Sequence, residues 1–266
     1  MNRIEETFAR LRSQGRKGLV VYIGAGDPDL AATRDLVLAF DQAGVAVVEL
    51  GVPFSDPLAD GLVNQLAAQR GLESGTTPDG VLKTISKIRE VSRIPIVLYV
   101  YFNLIHKVGL GAFIRQSARA GVDGMLILDL PPEESENYEA LMKQAGLSQI
   151  YLVAPTTPDD RVQLIVNRGS GFIYCISREG VTGMQSQVAS DLAAQVSRIR
   201  AHTHLPVAVG FGVSNADQAR LVARHADAVV VGSAIVQQIA SHGRSPDGLK
   251  CVAEFVHTLA QAVAEV

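Results

Sequence analysis

The chain has 266 residues, 47% of them apolar and 19% charged, with a formal net charge of −3. Such an apolar share fills a sizeable core, and the length suits two small domains or one large α/β barrel. The weak negative balance gives no electrostatic reason to expect nucleic acid or another polyanion as partner.

In chain order, Ile4, Phe8 and Leu11 share one face and predict an amphipathic helix over 2–14. A buried strand follows at 19–23, then the turn Gly24-Ala25-Gly26-Asp27-Pro28 and a helix over 30–43 that Gly44 stops. The run Val45-Ala46-Val47-Val48-Glu49-Leu50 is apolar and β-branched without alternation, as in a strand covered on both faces of a parallel sheet. Past its loop, 62–72 and 78–91 carry helical periodicity, followed by a strand at 95–100 and a helix at 109–120.

The rhythm then becomes regular. Strands at 124–128, 149–153, 172–176, 206–209 and 228–231 alternate with helices at 133–145, 158–167, 188–200 and 215–224. Strands joined this way need right-handed crossovers and a parallel sheet. Eight units over ~250 residues is the number that closes a (β/α)8 TIM barrel. The expectation is therefore one α/β domain over 1–266, a TIM barrel with an extra N-terminal helix. An open doubly wound sheet is the alternative.

In a barrel the segments that follow each strand converge on one face. Glu49 ends its apolar strand, where burial penalises the charged form and raises the pKa. The loop after it, stiffened by Pro53 and Pro57, carries Asp56 and Asp60. A neutral acid facing a second carboxylate is an acid–base pair, unless Glu49 is ion-paired and the loop is a solvated turn. Gly210-Phe211-Gly212 and Gly232-Ser233 follow the seventh and eighth strands, where barrels hold phosphate on backbone N–H groups and a helix N-terminus. Ser233 is expected there as an N-cap; the plainer reading is that the glycines only permit tight turns. Ser177-Arg178-Glu179-Gly180-Val181-Thr182-Gly183 has the glycine flanks of a lid.

Other chemistries find fewer residues. An imine-forming lysine is needed at a strand end, and of the lysines only Lys107 is near one. The histidines are scattered, with His202 and His204 before the seventh strand. Cys175 and Cys251 are too few for a disulfide framework or a zinc site, and Cys175 reads as a small core residue. No apolar run reaches the ~18–20 residues that cross a bilayer, and the start Met1-Asn2-Arg3-Ile4-Glu5-Glu6 lacks a signal peptide's apolar centre. A cytoplasmic location is expected.

The stretch Glu49-Leu50-Gly51-Val52-Pro53-Phe54-Ser55-Asp56-Pro57-Leu58-Ala59-Asp60-Gly61 closely resembles the signature of the tryptophan synthase alpha chain family. Ala25-Gly26-Asp27-Pro28, Tyr101-Phe102-Asn103, Asp129-Leu130-Pro131, Ala154-Pro155-Thr156-Thr157 and Gly210-Phe211-Gly212 look like further blocks of it, so the resemblance covers nearly the whole chain. It implies a lyase that cleaves indole-3-glycerol phosphate to indole and glyceraldehyde 3-phosphate. It implies Glu49 and Asp60 as the catalytic carboxylates. Phosphate contacts would fall on Gly183, Gly212, Gly232 and Ser233, while Tyr22, Tyr101, Tyr174 and Phe211 would surround the substrate and Thr182 would close the lid.

The resemblance also implies no cofactor in this chain and a pyridoxal-phosphate-dependent beta chain as partner in an α2β2 assembly. Asp56, Pro57 and Asn103 would lie at that interface. Three positions depart from the pattern: Gly24 where Thr is usual, Leu62 for Pro and Asn64 for Ile. They motivate two further readings, a weakly active alpha-like chain that mainly activates a beta chain and a stand-alone indole-releasing lyase. Indoleglycerol-phosphate synthase fits less well, because its catalytic lysines have no counterpart.

Overall fold

The computed structural model describes residues 2–176, 185–210, 212–245 and 247–266, with 185–190 described in backbone only. Eight strands, β1 Gly18–Gly24, β2 Val47–Gly51, β3 Ile96–Val100, β4 Gly124–Ile127, β5 Ser148–Val153, β6 Ile173–Ile176, β7 Val207–Gly210 and β8 Ala228–Val231, form a closed parallel barrel in sequence order. Closure is made by β1 pairing with both β2 and β8. The fold is thus a (β/α)8 TIM barrel, and the open-sheet alternative falls with it.

Twelve α-helices lie among the described residues. The first six are α1 Arg3–Ser13, α2 Leu30–Gln42, α3 Leu62–Glu73, α4 Pro78–Arg89, α5 Phe102–Val108 and α6 Leu110–Ala120. The others are α7 Glu136–Gln144, α8 Asp159–Arg168, α9 Gln185–Arg200, α10 Ala216–Ala223, α11 Ser233–His242 and α12 Gly248–Ala264. Neither α12 nor the short α5 belongs to the sequence expectation, which has α11 only as a helix start at Ser233, with no range. The expected 133–145 helix opens instead with a 3-10 turn at Pro132–Glu134 before α7 begins. Among the described residues no helix is long and apolar enough to cross a membrane.

The strands read as unbroken apolar runs because both of their faces are covered. One set of alternate residues, including Leu19, Val21, Val48, Leu50, Ile96 and Leu98, packs outward on helix residues such as Leu36, Phe40 and Ile85. The other set fills the bore: Val20, Val47, Val97, Leu126, Ile150 and Phe172. Ile4 and Phe8 of α1 belong to that inner cluster, and the Phe8 and Phe172 rings lie 5.7 Å apart. Helix α1 therefore plugs the floor of the barrel.

Polar contacts fasten that plug. Asn2 caps α1 by accepting from the N–H groups of Ile4 and Glu5, and its amide donates to Ser148 Oγ at 2.6 Å. Arg3 meets buried Asp123 at 2.8 Å, and Asp123 also takes Arg89 and the backbone N–H of Ile96 at 2.8 Å each. A carboxylate buried with several donors is compensated, and here it ties α1, α4 and β3 to one point under the sheet.

Register then decides what stands above the core. Side chains alternate along a strand, so two residues beyond Val47 the bore-facing position is Glu49, and two beyond Val97 it is Tyr99. Glu49 lies level with Tyr22 on β1 and Val97 on β3, whereas Tyr99 is level with Gly51, one layer nearer the mouth.

Candidate active site

Above that layer the mouth opens into a cavity of about 590 Å³. Tyr22, Glu49, Tyr99, Tyr174, Gly212, Gly232 and Ser233 line it, together with Asn64 from α3. Of the expected site residues, Tyr22, Glu49, Tyr174, Gly212, Gly232 and Ser233 thus share one space, although they come from five strands or strand ends. Asp60 and Tyr101 stand beside its wall, in contact with Tyr99 and Ala59. Thr182, Gly183 and Phe211 lie outside the described residues.

Glu49 is 1% exposed, and its Oε1 has no hydrogen-bond partner among the described residues. Burial alone pushes its carboxyl up to about 8. It is therefore largely neutral at pH 7, which is the state a proton donor needs. The ion-pair alternative for this residue finds no support in the geometry.

Asp60 sits half-buried just before α3, and Tyr99 of β3 and Tyr101 just past its end hold it by both oxygens. Tyr99 donates to Oδ1 and Tyr101 to Oδ2, each at 2.8 Å. The Tyr101 hydroxyl in turn accepts the N–H of Ala59 at 3.0 Å, and Gln65 donates to the Asp60 carbonyl at 2.8 Å. Burial first, and then Asp60, push both phenols well above their ordinary range, so they remain protonated donors. The loop aspartate is docked rather than solvated.

The walls are aromatic. Tyr22 and Tyr99 meet edge to face at 4.8 Å, a favoured geometry for ring quadrupoles, and Tyr174 faces the same space from β6. Two glycines on neighbouring strands make room for these rings. A Cβ on Gly51 would stand 2.5 Å from the Tyr22 hydroxyl, and one on Gly210 would stand 2.7 Å from that of Tyr174. Gly51→Ala is expected to cost about 1–3 kcal/mol by overpacking, read as a lowered thermal midpoint.

Asn64 is the departure that touches the centre. Its Nδ2 lies 3.5 Å from Asp60 Oδ1, at the limit of a hydrogen bond, while its own Oδ1 is buried without a partner. The other end of the cavity is made of backbone. Gly212 adopts φ +65°, a conformation glycine takes freely, and α11 begins at Ser233 with Gly232 as its N-cap. Ser233 is thus the first helical residue and not the cap, correcting the sequence expectation. With no side-chain cap, the first-turn N–H groups at Gly232, Ser233 and Ala234 are where an anion is favoured.

Tyr99 escaped the sequence reading, which took Tyr101-Phe102-Asn103 as the contribution of the third strand. Its signal is strand parity, since it continues the bore-facing series from Val97. Among the described residues no group of three His, Cys, Asp or Glu side chains is placed to hold a metal ion. Cys175 is fully buried in the core, as expected, and Cys251 is exposed.

The chain is similar to known proteins over nearly its whole length. The sequence model of the family described as "Tryptophan synthase alpha chain" matches residues 8–264. Among curated relatives, the tryptophan synthase alpha chain of Opitutus terrae is 50% identical over 247 residues, 93% of each chain. That of a Geobacter species is 47% identical over 263 residues, 99% of this chain and 98% of the relative. Among solved structures, tryptophan synthase subunit alpha from Legionella pneumophila superposes with a TM-score of 0.92 at 34% identity, covering 100% of both chains. Tryptophan synthase from M. tuberculosis, in its open form with BRD0059 bound, gives 0.89 at 30% identity over 99% of each chain. Coverage end to end, together with the barrel and its mouth, means that this chain belongs to the tryptophan synthase alpha chain family.

Proposed function

We propose that the chain acts as a retro-aldol lyase of tryptophan biosynthesis, splitting indole-3-glycerol phosphate into indole and glyceraldehyde 3-phosphate. The observation that carries the reading is Glu49: a neutral carboxyl whose Oε1 has no partner among the described residues, set among aromatic walls beneath a mouth whose far rim offers backbone donors.

The chemistry follows from that placement. The flat indole suits the Tyr22, Tyr99 and Tyr174 walls, and its phosphate suits Gly212, Gly232 and Ser233. Glu49 gives its proton to C3 of the ring, and positive charge develops at the ring N–H. Asp60, as carboxylate, stabilises that charge. Ionised Glu49 then takes the proton of the hydroxyl on the adjoining side-chain carbon. The bond from that carbon to C3 breaks, its electrons return to the ring, and an aldehyde is left. Glu49 ends as it began, protonated.

In this reading the chain works as one domain in the cytoplasm and needs no cofactor of its own. Its partner is a beta chain, proposed to carry pyridoxal phosphate in an α2β2 assembly. The loop with Asp56 and Pro57 suits that contact, because Leu58 and Leu62 beside it are 92% and 70% exposed. Thr182, Gly183 and Phe211 are proposed to complete the substrate's surroundings. The test is to incubate the chain with indole-3-glycerol phosphate, alone and with a beta chain. Indole and glyceraldehyde 3-phosphate should form in equal amounts, faster with the partner. No indole under either condition would overturn the reading.

A further inference from the structure

We infer that Tyr99 is a positioning residue for the lyase step, orienting the Asp60 carboxylate toward the ring N–H of the substrate; this rests on the function proposed above. Tyr99 and Tyr101 are two residues apart, and the chain leaves β3 between them. Their hydroxyls reach opposite oxygens of one carboxylate, at 2.8 Å each. Two donors on two oxygens stop the carboxylate from rotating about its terminal bond. Oδ2 keeps a further lone pair, and that of Oδ1 meets only the long 3.5 Å contact of Asn64, so Asp60 keeps the capacity to accept from a ligand.

The two phenols are not equivalent. Tyr101 also accepts the Ala59 N–H, so part of its work is to dock the loop. Tyr99 is part of the cavity wall, and Asp60 Oδ1 is its recorded hydrogen-bond acceptor. Its ring is fixed by edge contact with Tyr22 and stands level with Gly51 on the neighbouring strand. A donor held this rigidly aims the acceptor it binds. Hydrogen bonds to a charged acceptor are the strong ones, so loss of the Tyr99 hydroxyl is felt wherever Asp60 is needed.

The experiment separates this role from packing. Tyr99→Phe keeps the ring against Tyr22 and removes only the hydroxyl. Two unreactive ligands are titrated by calorimetry into the full chain. One is an indole carrying a saturated three-carbon phosphate tail at C3; the other is its benzothiophene counterpart, with sulfur in place of the N–H. Tyr99→Phe is expected to weaken the indole ligand roughly tenfold and the benzothiophene ligand less than about twofold. In an Asp60→Asn background the same substitution should change neither by more than about twofold.

Equal weakening of both ligands, or no weakening of either, would overturn the assignment. So would a full Tyr99→Phe effect in the Asp60→Asn background, since Tyr99 would then act independently of the carboxylate. If neither ligand binds the native chain, the substrate reading fails and the inference fails with it. Differential loss between the two ligands tests Tyr99 alone.

Discussion

Glu49→Gln is expected to lower kcat/KM for indole formation by roughly 10²–10⁴-fold, the usual worth of a positioned general acid, while making the folded chain more stable at neutral pH. The amide keeps the shape of the carboxyl but cannot give up a proton. The gain in stability has a definite sign. In the unfolded chain a glutamate ionises near 4.5, whereas in the barrel Glu49 holds its proton up to about 8. Between those values the unfolded chain sheds a proton that the folded chain keeps, so native stability falls as pH rises and levels off above about 8. Glutamine has no such dependence. The variant should therefore match the native protein below pH 4.5 and exceed it by a few kcal/mol, as an order of magnitude, at pH 8. Denaturant melts at the two pH values check this. The same shift sets the native rate profile, in which kcat/KM declines as pH passes about 8 because the donor is then ionised. Wild-type turnover in Glu49→Gln, or a profile flat through pH 9, would remove Glu49 from its role.

Asp60→Asn should have the next largest effect, a loss of roughly 10²–10³-fold in kcat. The substitution is informative because the surroundings tolerate it. An asparagine can still accept from one phenol through its carbonyl and donate to the other through its amide, so the loop stays docked on β3. What disappears is the negative charge, which matters most when the ring nitrogen becomes cationic. The thermal midpoint is expected to stay within a few degrees of native while turnover collapses, as steady-state kinetics and a melting curve on one preparation would record. A matching loss of stability would instead give Asp60 a structural part.

The barrel was readable from the chain because parallel strands buried on both faces leave no polar alternation to confuse them with surface segments. Glu49 stood out for the same reason, as a carboxylate at the end of an uninterrupted apolar run. What stayed hidden depends on register. At β3 both alternating sets, Val97 with Tyr99 and Leu98 with Val100, suit burial, so composition cannot say which set faces the bore. Only pairing with β2, which sets Gly51 opposite Tyr99, decides it. Ser233 fooled the reading differently: serine is a favoured cap, yet the turn closes on Gly232, one residue earlier. The last helix had a visible signal in Val252, Val256, Leu259 and Val263, which recur with helical spacing and are buried. The expectation ended with the helix start at Ser233.

The stopper formed by Ile4 and Phe8 has a consequence for traffic. Ile4 and Phe8 cork the lower end of the bore, so among the described residues the cavity above Glu49 faces the rim and not the floor. Under the proposed function the substrate therefore reaches Glu49 from the rim, on the side where Asp60 and the exposed Leu58 and Leu62 also lie. Among the described elements, what seals the floor thus leaves traffic for the rim alone to regulate.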